Sequence, residues 1–194
     1  MKLHYSPTSP FVRKVLVCAH EKGLAARIEQ VPVDGVGAAN PLAKVPTLIT
    51  DDGSVLYDSL VICDYLDNLD GSPSLIPSDA KSRTRVLWLH ALADGIMEAG
   101  VAWIGESRRP PDKKWREFSD KQRGKIERAI DALESQCAQF GDTVDLATIT
   151  AGAALGYTDL RLPDMAWSTS HPALAAWYLK FSQRDSMKAT APPA

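Results

Sequence analysis

The chain has 194 residues, 45% of them hydrophobic and 24% charged, which is enough apolar material for one substantial core or two small ones and carries none of the bias of disordered or fibrous sequences. A net charge of −2 and a pI near 6.1 give no global field for nucleic acid or an anionic membrane surface. No apolar run reaches the ~18–20 residues of a membrane span and the first residues lack the regions of a signal peptide, so the expected compartment is the cytoplasm.

Leu3 to Ser6 is predicted as a strand. Ser9-Pro10 then opens a helix, because Ser is favoured at the N-cap and Pro at the first helical position, where its missing N–H costs nothing. Val12, Val15, Leu16 and Ala19 give that helix one apolar face, and Lys22-Gly23 stops it. Ile28 to Val33 reads as a second strand. Thr47 to Thr50 and Ser54 to Tyr57 form a hairpin about Asp51-Asp52-Gly53. Asp58-Ser59 opens a helix that runs to Gly71, and Ser72 to Pro77 is a linker packed by Leu75 and Ile76. The order is βαβ-ββα, the mark of a mixed α/β unit.

From Ser78 the apolar period stays near 3.6, so the remainder is expected to be all helix. One long segment ends before Pro110-Pro111, a second covers Lys113 to Phe140, and a last one follows His171-Pro172. Between them lies an apolar helix that continues through Tyr157 and should be central. Asp145 caps it, while Val144 and Ile149 provide a hydrophobic staple. Charge divides the chain in the same place. Nine acids outnumber six bases from Met1 to Pro77, and twelve bases outnumber seven acids from Lys81 to Arg128. Acids interspersed in the second block favour a solvated helical surface over a phosphate-tracking groove. Cys18, Cys63 and Cys137 fit reduced, packed thiols, and the four histidines make no paired motif, so no metal is expected.

Two short stretches can carry chemistry. In Asn40-Pro41-Leu42-Ala43-Lys44-Val45-Pro46-Thr47-Leu48, a cis bond before Pro46 would present the Val45 N–H and C=O to an extended peptide, the alternative being an ordinary loop proline. In Ser6-Pro7-Thr8-Ser9-Pro10, the Ser9 hydroxyl is a cap, a catalytic donor, or both.

The motifs SPTSPFVRKV, NPLAKVPTL, LYDSLVICDYL, LIP and VDLATI occur in the order and spacing of the cytosolic glutathione transferases. The chain resembles the bacterial serine-type members, with a first motif similar to that of the plant tau class. The resemblance implies a thioredoxin-like glutathione-binding domain over residues 1–77 and an all-helical bundle domain over 78–194. It implies that Ser9 donates to the glutathione sulfur, with Thr8 and Tyr5 as alternatives, and that Phe11 lies beside the tripeptide. Lys44 would serve the glycyl carboxylate, Val45 the cysteinyl backbone at an exposed strand edge, Ser59 the γ-glutamyl carboxylate and Asp58 its ammonium. The electrophile pocket would lie between the halves, lined around Met97, Val101 and Trp103. The implied activity is conjugation of glutathione to small electrophiles in detoxification, with or without hydroperoxide reduction. A non-catalytic interaction module and a glutathione-dependent isomerase or dehalogenase are the other readings. Family members pair as two-fold homodimers, in which Asp94 would reach the partner's glutathione. Two departures stand out. The first motif has no cysteine, which argues against thiol–disulfide chemistry, and the usual Ser/Thr cap and Asp partner of the central helix are exchanged as Asp145 and Thr148.

Overall fold

The structure is a computed structural model that describes residues 1–69 and 73–193. The helix stop at Gly71 and the first linker residue, Ser72, lie outside the described residues. The chain divides into two compact units, Met1–Asp79 with Arg184–Ala194, and Ala80–Gln183.

The first unit begins with β1 (Lys2–Tyr5), α1 (Pro10–Glu21), β2 (Glu29–Pro32) and the short α2 (Val36–Ala39). It continues with β3 (Thr47–Ile49), β4 (Val55–Leu56) and α3 (Ser59–Leu69). The sheet order is β2-β1-β3-β4, with β1 and β2 parallel and the other pairs antiparallel. Strand alternation sends Leu3 inward opposite Leu48, both without solvent exposure, and α1 and α3 pack on each other, with Val15, Cys18, Ile62 and Leu66 all buried. This is the expected thioredoxin-like arrangement. The three cysteines are free and buried, and the hydrogen bond with Cys63, reinforced by burial, holds the Cys18 thiol well above its ordinary range.

A buried ion pair fixes the chain after α3. Lys22 Nζ lies 3.2 Å from Asp67 Oδ1, with neither side chain more than 5% exposed, and donates to the Pro73 carbonyl at 2.7 Å. The Asp67 carboxylate also accepts from the Leu75 and Ile76 N–H groups at 2.7 and 2.9 Å. Every lone pair so occupied offsets part of the cost of removing the charge from water.

The sequence assigns the last residues to the helical part, but the structure returns them to the first unit. Arg184 grips Glu21, the last residue of α1, through two 2.8 Å bonds, and the helix α9 (Asp185–Ala189) packs on α1 with Met187 buried. Arg13 Nη2 donates to the Met187 carbonyl at 3.2 Å.

The second unit contains α4 (Ala80–Ser107), α5 (Arg116–Gln136), α6 (Leu146–Arg161), α7 (Trp167–Ser170) and α8 (Pro172–Phe181). Helix α6 is central, as its composition predicts, since every residue from Leu146 to Thr158 is buried. The exchanged cap is complete: Thr148 N–H donates to Asp145 Oδ1 at 2.8 Å and Asp145 N–H to Thr148 Oγ1 at 2.9 Å. The Glu134 carboxylate accepts from the Ala173 and Leu174 N–H groups and so caps α8. Beside it, His171 Nδ1 donates to the Trp167 carbonyl at 2.7 Å while Nε2 faces Asp131 Oδ1 at 2.8 Å. No helix among the described residues is long and apolar enough to cross a membrane.

Candidate functional site

Strand register brings the separate sequence motifs to one end of the sheet. Because β3 runs antiparallel to β1 with His4 opposite Thr47, the chain leaving β1 toward Ser9 and the chain arriving at β3 through Val45-Pro46 meet at the same end. Because β4 runs antiparallel to β3 with Leu48 opposite Leu56, Tyr57-Asp58-Ser59 emerges there too.

Ser9 is the N-cap of α1, extended at φ −78° and ψ 121°, and its Oγ accepts from the Val12 N–H at 3.3 Å. A turn closed by Ser9 N–H to the Ser6 carbonyl at 3.0 Å precedes it. A hydroxyl carries one donor and two acceptor lone pairs, so the cap occupies one lone pair and leaves the proton available. Capping and donation to an outside atom are therefore compatible. Thr8 and Ser9 are both half-buried, and Tyr5 closes β1. Phe11 is half-buried as well, and the Lys14 ammonium stands 5.9 Å from its ring centroid.

The Val45–Pro46 bond is cis. Strand β3 is flanked on both sides, so the expectation of an exposed strand edge at Val45 is corrected: its polar groups are available because they lie in the bend ahead of the strand. Neither its N–H nor its C=O bonds another backbone group among the described residues. Asn40, 1% exposed, holds this bend. Its Nδ2 donates to the Lys44 carbonyl at 3.1 Å and to Thr47 Oγ1 at 2.9 Å, and its Oδ1 accepts from the Leu42 N–H. Only its place in the NPLAKVPTL motif marks Asn40 in the sequence. Lys44 itself is exposed, so its ammonium is open to an anion.

Asp58 Oδ1 accepts from the Leu60 N–H at 2.9 Å and, more weakly, from Val61 N–H at 3.5 Å, so one oxygen of this carboxylate caps α3. Ser59 is the first helical residue and is 4% exposed. The Tyr57–Asp58 peptide is also cis. The α3 end already carries the Asp58 carboxylate, whereas α1 is capped by a neutral hydroxyl and has no acid in its first turn, so the positive end of α1 and Lys44 are the groups at this end of the sheet left to favour an anion. Such an environment favours anions and lowers the pKa of a thiol placed in it.

The residues suggested for an electrophile pocket separate. Met97 has no solvent exposure and belongs to the core of the helical unit with Ile96 and Ile130, whereas Val101 is exposed and Trp103 half-buried. Asp94 lies 3.7 Å from the buried His90 one turn earlier on α4.

Residues 8–69 match the family model for the glutathione S-transferase N-terminal domain, and residues 90–179 that for the C-terminal domain. An Escherichia coli K12 protein described as an uncharacterized GST-like protein, YibF, is 38% identical over 200 residues, covering 100% of this chain and 99% of its own. A crystal structure of a glutathione transferase family member from Pseudomonas fluorescens Pf-5, with bound glutathione, superposes with a TM-score of 0.97 at 45% identity, over 100% of this chain and 99% of that one. A second Pf-5 structure, with bound S-(propanoic acid)-glutathione, gives a TM-score of 0.94 at 47% identity over 100% of both chains.

Proposed function

This chain belongs to the glutathione S-transferase family, and on that premise we propose that it activates the glutathione thiol at Ser9 and transfers the sulfur to small electrophiles. The observation that carries the reading is the convergence of Ser9, the cis Val45–Pro46 bend and Asp58-Ser59 at one sheet end. In this reading the cysteinyl backbone pairs with the Val45 N–H and C=O, Lys44 holds the glycyl carboxylate, and the Ser59 end of α3 receives the γ-glutamyl carboxylate. The Asp58 oxygen not used by the cap accepts from the γ-glutamyl ammonium. The bound glutathione of the Pf-5 relative supports this occupant, and its S-(propanoic acid)-glutathione supports a thioether product.

A free thiol with a pKa of ~8.5 is mostly protonated at neutral pH. A hydroxyl donor and the positive end of α1 both favour the thiolate, and each unit of pKa depression corresponds to ~1.4 kcal/mol. The thiolate then attacks an electrophilic carbon. With an activated alkene the C–S bond forms, the π pair moves to the neighbouring carbon, and that carbon takes up a proton in place of the one lost by the thiol. The charge contrast between residues 1–77 and 81–128 is the support for a homodimer, which light scattering tests, and the expected location is cytoplasmic.

Ser9→Gly separates the two roles of the hydroxyl. Gly retains most of the cap, at a cost of a few tenths of a kcal/mol, but offers nothing to sulfur. The expected result is a near wild-type melting temperature, a raised pKa of bound glutathione by thiolate absorbance, and a loss in kcat/KM at neutral pH far larger than the loss in glutathione affinity. Full activity with an unshifted thiolate pKa overturns the assignment and turns attention to Thr8 and Tyr5.

A further inference from the structure

We infer that Asn40 and Thr47 are positioning residues for glutathione, which together aim the Val45 N–H at the tripeptide without touching it. The inference rests on the transferase reading above and deepens it.

The Lys44 carbonyl and the Val45 N–H belong to one trans peptide unit, so the two groups point in opposite directions. That carbonyl accepts from Asn40 Nδ2 at 3.1 Å and from Thr47 Oγ1 at 2.8 Å, which fills both of its lone pairs. Asn40 Nδ2 gives its other hydrogen to Thr47 Oγ1 at 2.9 Å, and the three groups close a ring. Asn40 is 1% exposed and Thr47 fully buried, so water competes little for these bonds. Turning the Val45 N–H inward would break both bonds at the Lys44 oxygen at once and leave a carbonyl without a partner.

The same amide fixes the rest of the bend. Asn40 Oδ1 accepts from the Leu42 N–H at 2.9 Å, and the Asn40 carbonyl accepts from the Ala43 N–H at 2.8 Å. Ala43 lies in the left-handed region at φ 50°, a conformation that a residue with a Cβ keeps only where its surroundings over-determine it. Val45 is half-buried, and its N–H meets no backbone acceptor among the described residues. A donor already oriented before binding loses little freedom when a carbonyl arrives, so the ring contributes to affinity by preorganisation. Ser9 stands on a different element, the start of α1, so the ring acts on binding and not on the state of the sulfur.

Calorimetric titration of the full chain with glutathione, together with rates on an aryl halide, tests this. Thr47→Val keeps nearly the same shape and removes the hydroxyl; it should weaken glutathione binding and raise its KM about five- to tenfold. At saturating glutathione kcat should stay within about twofold of wild type, and the pKa of the bound thiol should not move. The protection that glutathione gives the Val45 N–H against hydrogen exchange should fall in the same variant. Asn40→Asp keeps the acceptor for the Leu42 N–H but lacks both donors, and should lose at least as much affinity. Thr47→Ser retains the hydroxyl and should recover most of it. Lys22→Met, at the opposite end of α1 from Ser9, should bind glutathione as wild type does. Equal losses of affinity in Lys22→Met and Thr47→Val would reduce the ring to a stability element and overturn the inference. Binding by Thr47→Val within about twofold of wild type, or equal falls in kcat and kcat/KM, overturns it while the glutathione site stands. A wild type that binds glutathione without protecting the Val45 N–H does the same. A wild type that binds no glutathione overturns the transferase reading and the positioning role with it. Should Asn40→Asp fail to fold, the two Thr47 variants decide.

Discussion

Replacing Asp67 by Ala should be among the most damaging single changes in the first unit. The substitution removes the partner of Lys22, whose side chain has no solvent exposure, together with the acceptor of two buried N–H groups at Leu75 and Ile76. Breaking a buried pair from one side typically costs about 3–5 kcal/mol, because an uncompensated charge is left behind. At 194 residues, with about 2–4 °C per kcal/mol, the melting temperature should fall by roughly 10 °C. Lys22→Met should cost less, about 1–2 kcal/mol, since Asp67 keeps both backbone donors. The double variant should lie well short of the sum, with a coupling of about 1–3 kcal/mol read from chemical denaturation of all four proteins. A loss for Asp67→Ala within about 0.5 kcal/mol, the range of an ordinary surface substitution, or strict additivity in the cycle, would refute the assignment of the network as the clamp on the chain after α3.

Two further outcomes concern the helical unit. Gly100→Ala should destabilise by about 1–2 kcal/mol despite the better helix propensity of Ala, because its Cβ meets the Tyr157 ring; Gly105→Ala, with nothing within 4 Å, should stabilise by up to about 1 kcal/mol, and thermal melts of the pair should move in opposite directions. Burial lowers the pKa of His171, but the Asp131 hydrogen bond and the Trp167 carbonyl together outweigh it and raise the net value above 6.5. A raised value means stability that is fully present below the unfolded pKa and is lost as pH rises through the folded one, so the advantage of wild type over His171→Gln in denaturant midpoint should shrink between pH 6 and pH 8.5.

Local rules made the helix starts readable. Ser9 and Asp145 are N-caps whose partners lie three residues away, and both bonds are present in the folded chain. The mixed sheet was readable from alternating apolar residues, although β4 contracts to Val55–Leu56 and β3 lies in the interior of the sheet. The site was readable only as motifs, because its assembly depends on strand register rather than on spacing. The role of Asn40 is not legible in the sequence, since a lone buried amide looks there like a turn residue. Apolar spacing on α4 does not distinguish the core face from a cavity wall: Ile96 and Met97 have no solvent exposure, while Val101 is exposed. The bond between Glu21 and Arg184 spans 163 positions, a separation at which no local pattern carries information.

That same bond sets an order of events during synthesis. The first unit is interrupted in sequence, since Ala80–Gln183 must be made before Arg184 and Met187 exist to seat on α1. At about 5–20 residues per second, the nascent sheet and its helices wait roughly 5–20 s without the segment that covers α1. During that interval the surface later covered by Met187 is open on a growing chain, so the ribosome-bound protein offers chaperones and proteases a target that the finished one conceals.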